Sequence, residues 1–215
     1  MKKFCLVSIL LFSITGALQA GGQEMPLRDV FEINSVSSPK LSPHAQKVLY
    51  LAEETDWEEN AYRNQVWLAE VKSGDRKQLT FDKSGAGSPA WSPDEKYISF
   101  TASRGDGEKN QVWIMPSNGG EAKPVTASPT GVRSYRWRPG SLAIAYTDVD
   151  EVEKERGKRE KEYGKFEFYE EELNPNRLRI QKLEGGDPVT LVSRDDLNVG
   201  EFAWNPEGTA LAFSA

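Results

Sequence analysis

Cysteine and histidine are almost missing from this 215-residue sequence, which holds one of each, Cys5 and His44. Cys5 lies within an amino-terminal apolar run, Phe4 to Ile14, so the chain beyond it has no thiol to oxidise, to bind zinc or to act as a nucleophile. Gly-x-Ser-x-Gly, the strand-to-helix elbow that carries the nucleophile of α/β-hydrolases, occurs nowhere. A hydrophobic run long enough to span a bilayer is missing too. The stretch from Phe4 to Ile14 is well short of the roughly 20 apolar residues that a membrane helix needs. Positive charge is scarce, with 27 Lys and Arg against 33 Asp and Glu. An acidic chain repels phosphate backbones, which excludes nucleic acid as a partner class.

What the amino terminus does have is the layout of a secretory signal. Lys2 and Lys3 precede the apolar run, and the small residues Gly16, Ala17 and Ala20 follow it. Residues 1–22 are therefore expected to be a signal peptide cleaved near Ala20 or Gly22. Removing Lys2 and Lys3 takes the net charge from −6 to −8. Gly21 or Gln23 would stand at the new terminus, where a lipid anchor needs cysteine. The expectation is a periplasmic or secreted protein with no membrane contact after cleavage.

Internal repetition dominates the remainder. Leu41-Ser42-Pro43-His44, Trp91-Ser92-Pro93-Asp94, Trp137-Arg138-Pro139-Gly140 and Trp204-Asn205-Pro206-Glu207 each place a large apolar residue two positions before a proline. Five residues after each proline comes an aliphatic residue (Val48, Ile98, Ile144, Leu211), and seven after it an aromatic one (Tyr50, Phe100, Tyr146, Phe213). A step of two puts both on one face of a strand. A second register begins at Val66, Val112 and Leu178, within the segments Asn64 to Val71, Asn110 to Pro116 and Asn176 to Leu183. It reaches Gly74, Gly120 and Gly186 in hairpin turns that call for positive φ, then Leu79, Val125 and Leu191. Each unit reads as strand, proline turn, strand, loop, strand, glycine turn, short strand, a four-stranded antiparallel meander.

Such a meander is a propeller blade. The apolar anchors are similarly spaced from Leu41 to Trp91 and from Trp91 to Trp137, and further apart from Trp137 to Trp204. That spacing fits one repeat with an insertion in its third copy. The fold class is therefore all-β, a partial β-propeller of about three and a half blades over residues 23–215. The blades are expected at 36–82, 86–127 and 132–193, with a half blade at 199–215 and a charged insertion at 148–175. Trp67 and Trp113 read as core, as do Trp91, Trp137 and Trp204, whose fixed place in each unit favours packing over ligand stacking. Because the sequence stops after the second strand of the fourth unit, the expectation is a fragment or truncated product, with open edges that invite self-association.

Pro26, Val36 to Pro43, Asp56-Trp57-Glu58-Glu59-Asn60, Gln78-Leu79-Thr80-Phe81 and Trp91-Ser92-Pro93-Asp94 together resemble the amino-terminal propeller of the prolyl oligopeptidase family of serine peptidases, in particular its acylaminoacyl-peptidase-like members. The resemblance covers nearly all of residues 23–215. It implies a propeller that admits peptides and excludes folded proteins from a separate hydrolase domain bearing Ser, Asp and His. Peptide substrates, or that carboxy-terminal hydrolase domain in full-length relatives, are the partners it implies. None of the hydrolase is legible here, so no catalytic, cofactor-binding or metal-binding residues are assigned. TolB-like envelope proteins use similar Trp-Ser-Pro-Asp repeats for protein contact, but carry an α/β domain ahead of the propeller for which this sequence has no room. A lone propeller scaffold that binds peptides or glycans is the looser alternative.

Four features tempt a sharper reading. His44 occupies the place where the other units carry Asp94, Gly140 and Glu207, and reads as a turn residue. Arg104-Gly105-Asp106 matches an adhesion tripeptide, but Gly and Asp suit a hairpin loop on their own account. Phe168-Tyr169-Glu170-Glu171-Glu172 is superficially similar to the acidic run with which dipeptidyl peptidase propellers hold a substrate amine, yet it lies between the second and third strands of a unit, the wrong place. Within the insertion, Glu151 to Glu162 carries Glu and Lys at helical spacings and reads as a solvated arm or short polar helix. Topology adds that Glu53 to Arg63, Ser103 to Lys109 and Asp148 to Pro175 leave from one rim, which makes that rim the expected meeting place for substrates or a partner domain.

Overall fold

The computed structural model describes residues 35–105, 108–150, 161–164, 175–192, 194 and 197–215, all within a unit that begins at Asn34. Residues 1–22 lie outside the described part, as does most of the 148–175 insertion with its Phe168 to Glu172 run. Of the stretch 151–162, expected to be a solvated arm or short polar helix, only Lys161 and Glu162 are described, in a single helical turn at 161–163.

Sheet formation follows the two-residue alternation. The first blade runs β1 (Val36–Leu41), β2 (Lys47–Asp56), β3 (Ala61–Glu70) and β4 (Arg76–Gln78). The second comprises β5 (Ala86–Trp91), β6 (Tyr97–Ala102), β7 (Gln111–Pro116) and β8 (Lys123–Pro124). The third has β9 (Ser134–Trp137), β10 (Ala143–Val149), β11 (Asn176–Lys182) and β12 (Val189–Val192), and a two-stranded sheet of β13 (Phe202–Trp204) and β14 (Leu211–Phe213) follows. Each four-stranded sheet is antiparallel with its strands in chain order.

Three of the four proline turns close through their own side chains. Ser92 donates its N–H to the Tyr97 carbonyl (2.9 Å), accepts the Tyr97 N–H on Oγ (2.9 Å) and donates Oγ–H to Asp94 Oδ1 (2.7 Å). Ser42 receives the Gln46 and Lys47 N–H groups on Oγ, both at 3.3 Å. Asn205 does the equivalent with Oδ1, accepting from Thr209 and Ala210 at 2.8 Å each. A short polar side chain one place before the proline thus satisfies N–H groups that a bare turn would leave unpaired. The first strands of blades 1 and 2 bulge at Ser38 and Ser88, both of which take positive φ. Each precedes a proline, which cannot donate to the ladder.

Between blades the packing is apolar and strictly alternate. Leu49, Leu51, Val66 and Leu68 on one face of blade 1 meet Ile98, Phe100, Ala102 and Met115 on the facing side of blade 2. Blade 2 offers Val112 to Tyr135, Ile144 and Tyr146 of blade 3, and blade 3 offers Ala145 and Leu178 to Phe202, Trp204 and Leu211. Sheets stacked face to face in this way, one after another, form a β-propeller. The positions five and seven residues after the second and third prolines are buried in these interfaces, Ile98, Phe100 and Ile144 being wholly inaccessible, whereas Val48 and Tyr50 of blade 1 and Leu211 of the last sheet are only partly buried and Phe213 is exposed.

Candidate functional site at the long-loop rim

In a four-stranded meander the loop between the second and third strands leaves from the same rim as the connector to the next blade, and both hairpin turns leave from the other. What shapes the long-loop rim is a buried latch repeated in blades 1 and 2. Thr80 Oγ1 donates to Gln65 Oε1 (2.7 Å) and accepts the Val66 N–H (2.9 Å), while Gln65 Nε2 donates to the Asp82 carbonyl (2.9 Å). Thr126, Gln111, Val112 and Ser128 repeat these bonds at 2.7, 2.9 and 2.7 Å. Each amide side chain therefore ties the head of a third strand to the outgoing connector. Thr80 and Gln65 are almost entirely buried. An unpaired group there would cost about 1–3 kcal/mol. Asn110 and Asn176 add a second tie, donating Nδ2–H to the carbonyls of Val132 (3.1 Å) and Val199 (3.0 Å). Sequence reasoning passes over the glutamines and threonines, although their separation of fifteen residues recurs.

Glu53 to Arg63 departs from its expected form as an open loop. β2 and β3 remain paired from Glu53 with Asn64 out to Asp56 with Ala61, leaving only Trp57 to Asn60 as the turn. Asp56 makes this possible. Its Oδ1 accepts the N–H groups of Glu58 (2.9 Å) and Glu59 (3.0 Å), and its Oδ2 lies 2.8 Å from Arg63 Nη1. The Glu59 N–H foremost, with Glu58 and Arg63, holds the Asp56 carboxyl below its ordinary pKa despite partial desolvation. Asn60, in the left-handed region, completes the reversal, a conformation that asparagine tolerates better than most residues.

Arg104, the first residue of the adhesion-like tripeptide, is committed to the fold. Its Nη2 donates to Asp82 Oδ2 at 3.1 Å, its Nε lies 2.8 Å from Asp82 Oδ1, and its guanidinium sits 4.3 Å from the centroid of Trp113. A side chain pinned between a connector carboxylate and an indole face is unavailable to a receptor. Asp106 lies outside the described residues. Nearby, Tyr62, Arg63, Asn64, Ser84, Thr101 and Ser103 border a polar hollow of about 220 Å³ between blades 1 and 2.

His44 lies on the opposite rim, as a turn residue. Its backbone N–H and ring Nδ1 both engage Glu95 Oε1, the ring at 2.9 Å, which ties the first proline turn to the second. Trp91 and Trp137 are packing residues with satisfied indoles, donating to the Lys40 carbonyl (3.0 Å) and to Ser99 Oγ (2.7 Å). Trp67 departs from its expected place in the core. It stacks with Tyr50 at 6.5 Å on the face of blade 1 turned away from blade 2, where no described blade covers it, above a concavity of about 460 Å³. Among the described residues no group of three or more His, Cys, Asp and Glu side chains could hold a metal ion, and no helix is long and apolar enough to cross a membrane. The described contacts at the rim are hydrogen bonds and ion pairs within the chain.

No protein-family model matches the chain. Over 76 residues it is 28% identical to the uncharacterized peptidase YuxL of Bacillus subtilis, a stretch that is 35% of this chain and 12% of that protein. Among solved structures it is similar to an acylaminoacyl peptidase of Pyrococcus horikoshii, with a TM-score of 0.52 and 21% identity over 70% of this chain and 23% of that one. It is likewise similar to TolB from Acinetobacter baumannii, with a TM-score of 0.57 and 20% identity over 84% of this chain and 37% of that one. The chain thus spans well under half the length of each of these proteins.

Proposed function

We propose that the chain is the propeller portion of an exported serine peptidase of the prolyl oligopeptidase family, where it limits which peptides reach a separate α/β-hydrolase domain. The observation that carries the reading is the matched stretch shared with a peptidase, on a fold that peptidases also use. The distribution of chemistry agrees with it. The extended β2–β3 hairpin, the polar hollow and the connectors gather on one rim, while the proline turns opposite are tight. On this reading the chain alone hydrolyses nothing, since the nucleophile, base and acid belong to the separate hydrolase domain.

Two measurements test it. Purified chain incubated with short fluorogenic peptides is expected to give rates indistinguishable from buffer. Crosslinking in a longer relative is expected to join the second-to-third-strand loops to the hydrolase or to a bound peptide, and a footprint confined to the Ser-Pro turns would sink the proposal. Export is checked by fractionating cells that express the whole chain.

The likeness to TolB favours a second reading, a periplasmic propeller that binds protein or small ligands without any hydrolase. In-cell crosslinking separates the two, because a scaffold yields a discrete species with a second protein, whereas a gate on its own yields none.

A further inference from the structure

Blade 3 departs from the other blades at four equivalent positions at once. The alanines paired with the latch glutamines, Ala52 with Gln65 and Ala102 with Gln111, become Asp148 paired with Arg177. Tryptophan opposite the second-strand aromatic, Trp67 with Tyr50 and Trp113 with Phe100, becomes Arg179 opposite Tyr146. Threonine fifteen residues after the glutamine becomes Val192, which has no hydroxyl to give.

These exchanges build one structure. Arg179 Nε donates to Asp148 Oδ1 (2.7 Å) and its Nη2 to Asp150 Oδ1 (2.5 Å); Arg177 Nε donates to Asp150 Oδ2 (2.7 Å). Outward ties extend from it. Asp148 Oδ2 accepts the Ser128 hydroxyl (2.8 Å) on the connector from blade 2, and Arg179 Nη1 donates to Thr190 Oγ1 (2.6 Å). Arg177 Nη1 reaches the Arg194 carbonyl (2.8 Å), where the glutamines of blades 1 and 2 grip Asp82 and Ser128. Asp148 and Arg177 are both buried. Their charges are withdrawn from water and compensated within the group, two acids against two guanidinium forks.

We infer that Asp148, Asp150, Arg177 and Arg179 are positioning residues that form an ionic clamp across the two strand ends from which the 148–175 insertion departs. The clamp takes the place of the Gln–Thr latch and lets blade 3 close on its own connectors whatever the insertion does. A neutral latch ties a third strand to its connector only. The clamp also ties the end of β10 to the start of β11, which in blade 1 is done by the continuous β2–β3 hairpin.

Hydrogen exchange of the whole chain tests this. Asp148→Asn and Arg179→Gln should each speed exchange at the Thr147–Val149 and Asn176–Leu178 amides about tenfold or more, while amides of Leu49–Leu51 and Val66–Leu68 stay unchanged. Arg179→Lys, which keeps charge but loses the fork, should fall between. A combined Asp148→Ala, Arg177→Gln, Arg179→Trp, Val192→Thr variant, carrying the blade 2 set, should recover slow exchange at the third-strand head, Arg177–Leu178. Unchanged exchange in the single variants, or acceleration spread evenly over all three blades, overturns the clamp. These readouts do not depend on peptidase or binding activity, so they stand apart from the proposed function.

Discussion

Ser99 Oγ is the point where blades 2 and 3 are joined by polar atoms inside an apolar interface. It accepts the Trp137 indole N–H at 2.7 Å and lies 2.9 Å from Tyr135 Oη, and Tyr135 donates onward to the Ser88 carbonyl at 2.6 Å. Tyr135 is buried, and desolvation pushes its phenol well above the ordinary tyrosine value, so it stays a neutral donor at all physiological pH. Because the carbonyl it serves belongs to the residue at the bulge of β5, Tyr135→Phe should destabilise the chain by about 1–3 kcal/mol, measured by urea denaturation. Titratable side chains at the proline turns act differently. Asp94 is held below its ordinary pKa chiefly by the Ser92 hydroxyl, and Glu95 chiefly by the His44 N–H. A carboxylate whose pKa is lower folded than unfolded stabilises above the unfolded value and loses that contribution as pH falls through the folded one. The urea midpoint should therefore drop between about pH 5 and pH 3, and Asp94→Asn should flatten the drop while lowering the midpoint at neutral pH.

Hairpins are where the chain announces itself most clearly, and Gly208 shows how much a turn can carry. It takes positive φ, and a Cβ there would run into the Pro139 carbonyl oxygen of the neighbouring turn. Its own carbonyl accepts from Arg138 Nε at 2.7 Å, and the Arg138 guanidinium lies 5.5 Å from the Trp204 ring. Gly208→Ala combines a left-handed backbone, costing about 1–2 kcal/mol, with a backbone collision. Exchange at Phe202–Trp204 should accelerate selectively, with Leu49 and Leu51 unaffected. The proline turns are legible in sequence because turn chemistry is local, resting on Ser92, Asp94 and Asn205 acting on their own backbone. The Gln65–Thr80 latch is not, because its partners are fifteen residues apart and each residue type alone suits any exposed strand. Glu53 to Arg63 misleads for a related reason, since its charged residues read as loop while Asp56 and Arg63 satisfy one another across a hairpin. Arg104 carries two meanings in sequence, and only its tertiary partners Asp82 and Trp113 decide between them.

Stacking of blades makes equivalent residues inequivalent in energy, and the first blade shows by how much. Tyr50 and Trp67 occupy the same register as Phe100 and Trp113. Phe100 is wholly buried beneath blade 1, and Trp113 packs against the same cluster, with its indole donating to the Ala102 carbonyl at 3.1 Å and Arg104 lying over its face. Trp67 has no such cover among the described residues, and its Nε1 has no hydrogen-bond partner there. In a repeat array each interface contributes its own share of stability, so truncating a side chain at a formed interface removes packing that an unformed interface never had. Trp113→Ala should accordingly cost about 3–5 kcal/mol, the range for a large aromatic removed from a packed site, and Trp67→Ala less than half of that. Paired urea titrations of the two variants against the parent chain measure the difference. Equal losses would mean that the Tyr50–Trp67 face is as firmly covered in solution as the interface between blades 1 and 2. The same pair placed in a longer chain, in which a further blade closes on that face, should converge in cost as Trp67 gains the contacts that Trp113 already has.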